Sequence, residues 1–151
     1  MNRCWVKTKS VEETRRLGKA IGELLPQKAV VILSGHLGCG KTELARGIAE
    51  AFGIPAEEVS SPSFNIVHEY EELIHVDLYR LDSVEAVEDV GLEELLSDDR
   101  PKVIEWGEML EELLEGLPVI RVRCKQVGEE REFEIGDSTG KICRKILEKN
   151  L

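Results

Sequence analysis

The fold is decided by the apolar run AVVILS at residues 29–34 and the loop GHLGCGKT at residues 35–42. The loop has the spacing G-x-x-x-x-G-K-T of a phosphate-binding loop, and the run before it has the length of a strand. Apolar side chains follow on one face of a predicted helix, at Leu44, Ala45, Ile48, Ala49 and Phe52. A glycine-rich turn that binds nothing is the alternative, but the strand and helix on either side favour a nucleoside triphosphate site.

Each part of the loop has a predicted task in binding phosphate. Backbone N–H groups turn toward the phosphate oxygens, and the following helix adds its positive N-terminal end; the residues concerned are Gly35, His36, Leu37, Gly38, Cys39 and Gly40. We expect the Lys41 amine to reach the β- and γ-phosphates and the Thr42 hydroxyl to bind Mg²⁺. The Cys39 side chain is interpreted as a small filler, and a redox-sensitive thiol is the alternative.

The composition is that of a globular domain with one hydrophobic core. The chain has 151 residues, 42% of them hydrophobic, and we interpret residues 1–151 as a single domain. No apolar run approaches the roughly 20 residues of a membrane span, and no signal-peptide pattern is present, so we expect a cytoplasmic protein without a membrane contact. The four cysteines form no C-x-x-C pair, which predicts four free thiols and neither a zinc site nor a redox motif.

Negative charge is concentrated in one part of the chain. The net charge is −10, and residues 82–115 contain thirteen carboxylates but only two basic residues. Direct RNA binding at that surface is disfavoured because phosphates would be repelled. A solvated helical face and a docking surface for a basic partner both remain open.

Strands and helices alternate along the sequence. A capping box at residues 10–13 opens a helix that ends before Pro26, and later segments predict strands at 64–70, 73–79, 101–106, 120–124 and 131–135. Helices are predicted within 83–97, around residues 109–114 and over 138–149. The order predicts an α/β fold of the P-loop NTPase type, with a mostly parallel central sheet, antiparallel additions and helices on both faces.

Acidic residues end two of the predicted strands. Asp77 follows IHV, and we expect it to hold Mg²⁺, with an exposed strand-end carboxylate as the alternative. Glu105 ends a second apolar strand, and because ligands gather at the carboxyl ends of parallel strands, it is the candidate for orienting an attacking water. His75 is interpreted as structural, whereas Trp106 suits a core position or a nucleotide-facing position equally well.

Two further groups are weaker candidates. Ser63 lies in a Pro-containing loop that can act as a switch near the γ-phosphate, although Ser-Pro is also an ordinary loop signal. Arg80 follows Asp77 by three residues and is a candidate for stabilising transferred charge. A small-molecule kinase shares the same loop, but we find no Arg-rich lid segment. The N-K-x-D signature that reads guanine is also missing, which favours ATP.

Taken together, these segments resemble the bacterial TsaE (YjeE) family, the P-loop ATPases required for threonylcarbamoyladenosine in tRNA. The resemblance covers almost the whole chain and is carried by Glu13-Thr14, Leu17-Gly18, the loop 35–42, SPSFN at 61–65, HVDLYRL at 75–81 and IEW at 104–106. It implies an ATP hydrolase in which Lys41 and Thr42 serve the phosphates and Mg²⁺, with Asp77 and Glu105 at the metal or water. It also implies that Ser63 is a switch hydroxyl, that Trp106 has a functional role and that Thr14 lies near the adenine.

The resemblance further implies partners. Such proteins act with the TsaB–TsaD pair, in which TsaD transfers the threonylcarbamoyl group, so tRNA is reached indirectly through that complex. The sequence does not give the oligomeric state of the isolated chain, for which a monomer is one candidate. A nucleotide-gated binding module with negligible turnover is a third function class. This sequence departs from the family at His36, Cys39 and Ser63, and at Glu43, which is expected to add negative charge beside the phosphates.

Overall fold

The computed structural model describes residues 2–36, 38–59, 67–78, 91–106 and 108–149. The strands are β1 Asn2–Thr8, β2 Val30–Ser34, β3 Val67–Glu69, β4 Ile74–Asp77, β5 Lys102–Glu105, β6 Val119–Val127 and β7 Glu130–Asp137. The α-helices are α1 Val11–Glu23, α2 Lys41–Glu50, α3 Leu92–Ser97 and α4 Ile142–Lys149, with 3-10 helices at Ala56–Glu58 and Glu108–Leu114. None of the helices in the described ranges is long and apolar enough to cross a membrane.

Seven strands form one sheet in the order β1-β7-β6-β2-β5-β4-β3. The four central strands, β6, β2, β5 and β4, run parallel to one another. Antiparallel pairs complete the sheet, with β7 and β1 on one side and β3 on the other. The predicted α/β fold is therefore confirmed, and its parallel part is limited to the centre, where the strand ends gather on one edge.

Two apolar layers cover the central strands. Alternate residues of β2, such as Val31 and Leu33, pack with α1, α2 and α4 on one face. The intervening residues, Val30 and Ile32, pack with α3 and the second 3-10 helix on the other face. This separation follows from the two-residue period of a strand, which sends neighbouring side chains to opposite faces.

Helices α1 and α2 are in close contact. A Cβ atom at Gly18 would lie 2.3 Å from the Leu44 carbonyl oxygen, and one at Gly47 would lie 2.2 Å from the Arg15 carbonyl oxygen. Only glycine allows backbones to approach this closely. The start of α1 matches the predicted capping box, because Ser10 Oγ accepts from the Glu13 N–H at 3.1 Å and Glu13 Oε1 accepts from the Lys9 N–H at 3.2 Å. The close contact between α1 and α2 brings the first turn of α1 next to the phosphate-binding loop.

Several predicted bounds were wrong. The helix predicted around residues 109–114 is present, as the 3-10 helix Glu108–Leu114. The last helix begins at Ile142 instead of 138, because the Asp137 carboxylate accepts hydrogen bonds from the backbone N–H groups of Thr139 and Ile142 and holds the intervening residues in a loop. Strand β1 was not predicted, although its buried and exposed residues alternate.

The prediction of four free thiols was also wrong. Cys4 of β1 and Cys143 of α4 form a disulfide across 139 positions of the sequence, while Cys39 and Cys124 remain as buried thiols. Spacing could not reveal this pair, since β1 and α4 come together only when the sheet is complete. Both half-cystines are buried on the face covered by α1, α2 and α4.

Candidate functional site

The phosphate-binding loop connects β2 to α2 at the carboxyl edge of the parallel strands. Gly35 has a φ of 130°, and a Cβ atom there would lie 2.4 Å from the Cys124 carbonyl oxygen and 2.9 Å from Cys39 Sγ. Glycine is therefore required where the loop leaves the strand. Gly40 has a φ of 116° and begins α2. The loop therefore leads directly into the N-terminus of α2, where the positive end of the helix dipole favours an anion.

Lys41 links the loop to the end of β5. Its Nζ donates to the Gly35 carbonyl oxygen at 2.6 Å and lies 3.2 Å from the centre of the Trp106 ring. Trp106 has a φ of 63°, unusual for a residue with a side chain, and its N–H donates to the Leu33 carbonyl oxygen at 3.1 Å. Trp106 therefore faces the lysine of the phosphate-binding loop, a position that the sequence left undecided.

Asp77 and Glu105 occupy matching positions in the parallel pair β4–β5. Glu105 also pairs in register with Leu33, two residues before Gly35, so the carboxylates lie at the edge from which the loop departs. Asp77 is 6% exposed and Glu105 3% exposed. The proximity expected for strand-end acids is found, and the pair is held away from bulk water.

His75 is the third polar side chain of this group. Its Nε2 lies 2.7 Å from Glu105 Oε2, and the ring is buried. Because His75 and Asp77 are two residues apart on β4, both point to the same face as Glu105. Hydrogen bonding to His75 fixes the orientation of one Glu105 oxygen. The sequence suggested a structural histidine and did not reveal this contact.

Mg²⁺ is compatible with these oxygen groups. It prefers oxygen ligands and usually keeps several waters, so one or two carboxylates plus phosphates suffice. Among the described residues, no three His, Cys, Asp or Glu side chains form a ready-made metal cage. Asp77 and Glu105 supply carboxylate oxygens, and Thr42 follows Lys41 in the first turn of α2. The donor set therefore suits an ion that binds together with a phosphate group.

The negative charge that Glu43 was expected to add beside the phosphates is paired in the structure. Its carboxylate accepts from Arg15 Nε at 2.7 Å and from an Arg46 guanidinium nitrogen at 2.5 Å. The hydrogen bond to Glu43 raises the pKa of Arg15. Arg46 also donates to the Val59 carbonyl oxygen at 3.0 Å, just before residues 60–66, which lie outside the described ranges. The two arginines offset the charge that the sequence places after Thr42.

A cavity of about 300 Å³ opens beside the loop. Its walls come from the end of β1, the start of α1, the loop and the β6–β7 hairpin, and include Thr8, Ser10, Thr14, Gly38, Gly40 and Arg131. The hydroxyls of Thr8 and Thr14 lie 2.6 Å apart and are buried. Thr14 therefore contributes to a wall of the cavity. Arg131 was missed, because no sequence spacing connects it with the loop.

Cys39 points into the core beneath the loop. Cys124 Sγ donates to the Cys39 carbonyl oxygen at 2.6 Å, and both thiols are buried. A hydrogen bond from the Cys124 thiol lowers the pKa of Cys39 to about 7, and the same contact raises the pKa of Cys124. The side chain fills space next to Gly35, as the interpretation of Cys39 as a small filler requires. His36, by contrast, is exposed. Leu37, Ser63 and Arg80 lie outside the described residues.

Comparisons with known proteins agree on one family. A family model described as Threonylcarbamoyl adenosine biosynthesis protein TsaE matches residues 8–133. The tRNA threonylcarbamoyladenosine biosynthesis protein TsaE of Bacillus subtilis (strain 168) is 32% identical over 147 residues, covering 93% of this chain and 91% of that protein. The protein of the same name from Treponema pallidum (strain Nichols) is 40% identical over 104 residues, covering 67% and 76%.

A solved structure gives the same result for the fold. The crystal structure of YdiB from Bacillus subtilis matches with a TM-score of 0.77 at 26% identity, covering 99% of this chain and 97% of that one. The similarity thus includes the antiparallel strands at both edges of the sheet as well as the parallel centre. With a family match over residues 8–133 and these relatives, the chain belongs to the TsaE family, which is involved in the biosynthesis of threonylcarbamoyladenosine in tRNA.

Proposed function

We propose that this chain is a Mg²⁺-dependent ATPase that supports threonylcarbamoyladenosine modification of tRNA together with a TsaB–TsaD pair. The observation that carries the proposal is the position of Asp77 and Glu105, side by side at the strand edge from which the phosphate-binding loop departs. A phosphate-binding loop alone also suits proteins that only bind nucleotide. A buried acidic pair beside it favours hydrolysis.

The residues divide the work as follows. Backbone N–H groups of residues 35–40 and the Lys41 amine bind the phosphates, and Thr42 and Asp77 hold Mg²⁺, which supplies charge neutralisation when bound. Glu105 orients the attacking water or shares the metal, with its carboxylate held in place by His75 at 2.7 Å. The Lys41 amine already stands at the loop, on the Gly35 carbonyl oxygen and the Trp106 ring.

The nucleoside occupies the cavity beside the loop in this proposal. The volume of about 300 Å³ is at the lower end of the range for small-molecule sites. Gly38 and Gly40 line it from the loop side, so a nucleotide with its phosphates on the loop extends its sugar and base toward Thr14 and Arg131. ATP is preferred to GTP because the sequence has no guanine-reading N-K-x-D motif.

The surface proposed to bind the partner pair lies among the acidic residues of the segment 82–115 that the structure describes. Around a groove of about 450 Å³ stand the carboxylates of Glu93, Glu112 and Glu115, with Lys28 as a basic member of its lining. Such a surface suits a basic protein segment, because complementary charge speeds association and fixes orientation. Docking of TsaB–TsaD here predicts that charge reversal of several carboxylates among Glu93, Glu94, Asp98 and Asp99 weakens the complex, and unchanged affinity would exclude this face. Glu93 and Glu94 are the first choice, because Asp98 is paired with Arg100.

The test of hydrolysis uses two conservative variants, Asp77→Asn and Glu105→Gln. Phosphate release is measured for the chain alone and after addition of TsaB, TsaD, tRNA and threonylcarbamoyl-adenylate. We expect each variant to lose about 100-fold or more in turnover, while circular dichroism and binding of a fluorescent ATP analogue show a folded protein. Glu148→Gln, at an exposed residue of α4 outside both the cavity and the groove, is the matched control for charge. Wild-type turnover in both variants would refute the site, and a phosphorylated metabolite in place of free phosphate would indicate a kinase.

A further inference from the structure

No helix among the described residues covers one face of the antiparallel part of the sheet. The sheet register places the side chains of Arg3, Trp5 and Lys7 on this face of β1. It also places there Glu130, Glu132 and Glu134 of β7 and Arg121, Arg123, Lys125 and Val127 of β6. The other face carries Cys4, Val6, Val122, Phe133 and Ile135, which pack into the core. We call the first group the open face.

The charge of the open face is opposite to that of the molecule. Five basic side chains stand against three carboxylates there, whereas the chain as a whole has a net charge of −10. Two of the carboxylates make only long, exposed ion pairs, Arg3–Glu134 at 3.7 Å and Lys125–Glu132 at 3.6 Å. The structure records no ion pair of Lys7 or Arg123 with any described residue. The face is therefore basic, and part of that charge is available to a ligand.

Trp5 lies halfway along β1, the edge strand of this surface. It is 56% exposed, has Arg3 and Lys7 two residues away on the same strand, and pairs in register with Glu134. An exposed indole between cations is the arrangement that binds single-stranded nucleic acid, since a base can stack on the ring while the cations meet its phosphates.

The strands of the open face also reach the nucleotide site. Arg123 of β6 pairs in register with Ser34, the residue before Gly35 of the phosphate-binding loop. The β6–β7 hairpin that supports the face also contributes Glu129 and Arg131 to the cavity beside that loop. A ligand on the open face therefore lies on the same strands that line the proposed nucleoside cavity.

We infer that the open face binds RNA directly, with Trp5 stacking on an unpaired base and Lys7, Arg123 and their neighbours contacting phosphates. Because the family is involved in tRNA modification, we propose tRNA as the RNA that binds here. Direct tRNA binding goes beyond the proposed function, in which tRNA is reached through the partner pair, and it does not depend on ATP hydrolysis. An acidic protein would match the charge but has no need of an exposed stacking surface.

The test measures anisotropy of a labelled, unmodified tRNA transcript titrated with the full chain at several salt concentrations. For Lys7→Gln/Arg123→Gln we expect at least a tenfold weaker Kd and a slope of log K against log salt reduced by about 1.4 to 1.8. Trp5→Ala weakens binding about five- to 150-fold, the range for loss of one stacked base, and leaves the slope unchanged. The control Lys141→Gln/Arg144→Gln removes the same charge from exposed residues at and near α4 and keeps the wild-type Kd.

Three results would overturn the inference: no binding of tRNA by the wild-type chain, equal weakening by the control pair, or a double variant that binds tRNA normally. A double variant that loses TsaB–TsaD but keeps tRNA would assign the face to a protein instead. Phosphate release is measured on the same variants and is expected to stay at the wild-type rate. A failed ATPase proposal would therefore appear in that assay and leave the RNA result independent.

Discussion

Nε2 of His75 lies 2.7 Å from Oε2 of Glu105, and the contact joins two buried side chains of neighbouring parallel strands. Replacing His75 with Ala removes this hydrogen bond and lets the Glu105 carboxylate rotate. We expect kcat to fall about tenfold to 100-fold, while the Kd for ATP changes little because the phosphates are assigned to the loop and Lys41. Steady-state phosphate release and calorimetry with ATP measure the two quantities.

A purely structural role of His75 would give another pattern. His75→Gln can still donate to Glu105, so it should recover part of the lost kcat, whereas a packing defect should affect both variants alike. Loss of kcat that is accompanied by an equal loss of thermal stability in His75→Ala and His75→Gln would contradict the positioning role.

Lys41 and Trp106 offer an optical test of nucleotide binding. The Lys41 amine lies 3.2 Å from the centre of the indole ring, and a cation at this place influences its emission. In a Trp5→Phe background, Trp106 is the remaining tryptophan, and we expect ATP to change its emission as the amine turns to the phosphates. Lys41→Ala should abolish the change and weaken ATP binding. Normal ATP binding by calorimetry without any change in emission would argue against this contact as part of the site.

Thiol titration checks the disulfide. With Cys4 and Cys143 joined and two cysteines free, unfolded but unreduced protein should show two reactive thiols, and reduced protein four. In the native state Cys39 should react slowly although its pKa is about 7, because the thiol is buried under the loop. Cys4→Ser/Cys143→Ser should lower the free energy of unfolding by about 2 to 4 kcal/mol. Four reactive thiols in the unreduced protein would disprove the bond.

The contacts of Arg100 predict that part of the free energy of unfolding is lost at low pH. Arg100 donates to Asp98 at 2.9 Å, to Glu69 at 2.7 Å and to the Tyr70 carbonyl oxygen at 2.8 Å, which ties the end of α3 to the β3–β4 hairpin. The Arg100 hydrogen bond holds the pKa of Asp98 well below its usual range. A lowered folded-state pKa means stability that is present above the unfolded pKa of about 4 and is lost as the pH falls through the folded pKa.

Asp98→Asn should therefore lower the Tm at pH 7, and its Tm should approach that of the wild type as the pH falls below about 4. The matched control is Asp99→Asn. The Asp99 carboxylate is exposed, and its ion pair with Lys28 Nζ is long, at 3.9 Å, so we expect little change in Tm at either pH. Thermal melts followed by circular dichroism give the comparison. A constant difference in Tm across the pH range would refute the role of the Asp98 charge.

Short sequence patterns predicted the candidate phosphate-binding loop and the acidic residues beside it. The spacing of residues 35–42, the apolar run before them and the acidic ends of β4 and β5 all lie within short stretches of chain, where periodicity and residue type are informative. The α/β class and the capping box of α1 followed in the same way. The unpredicted strand β1 spans seven residues and its burial alternates, but Trp5 is apolar on the exposed side and Thr8 is polar on the buried side, so the alternation in the sequence is weak.

The sequence by itself therefore determined the candidate groups for a triphosphate site and most of the strands and helices around them. Tertiary structure decided which distant groups meet: Glu105 with His75, Lys41 with Trp106, Cys4 with Cys143, and Arg131 with the cavity beside the loop. The physical reason is the same in each case. Strand order in a sheet is not the order in the chain, and a contact across it depends on the packing of the whole core, which no local spacing records.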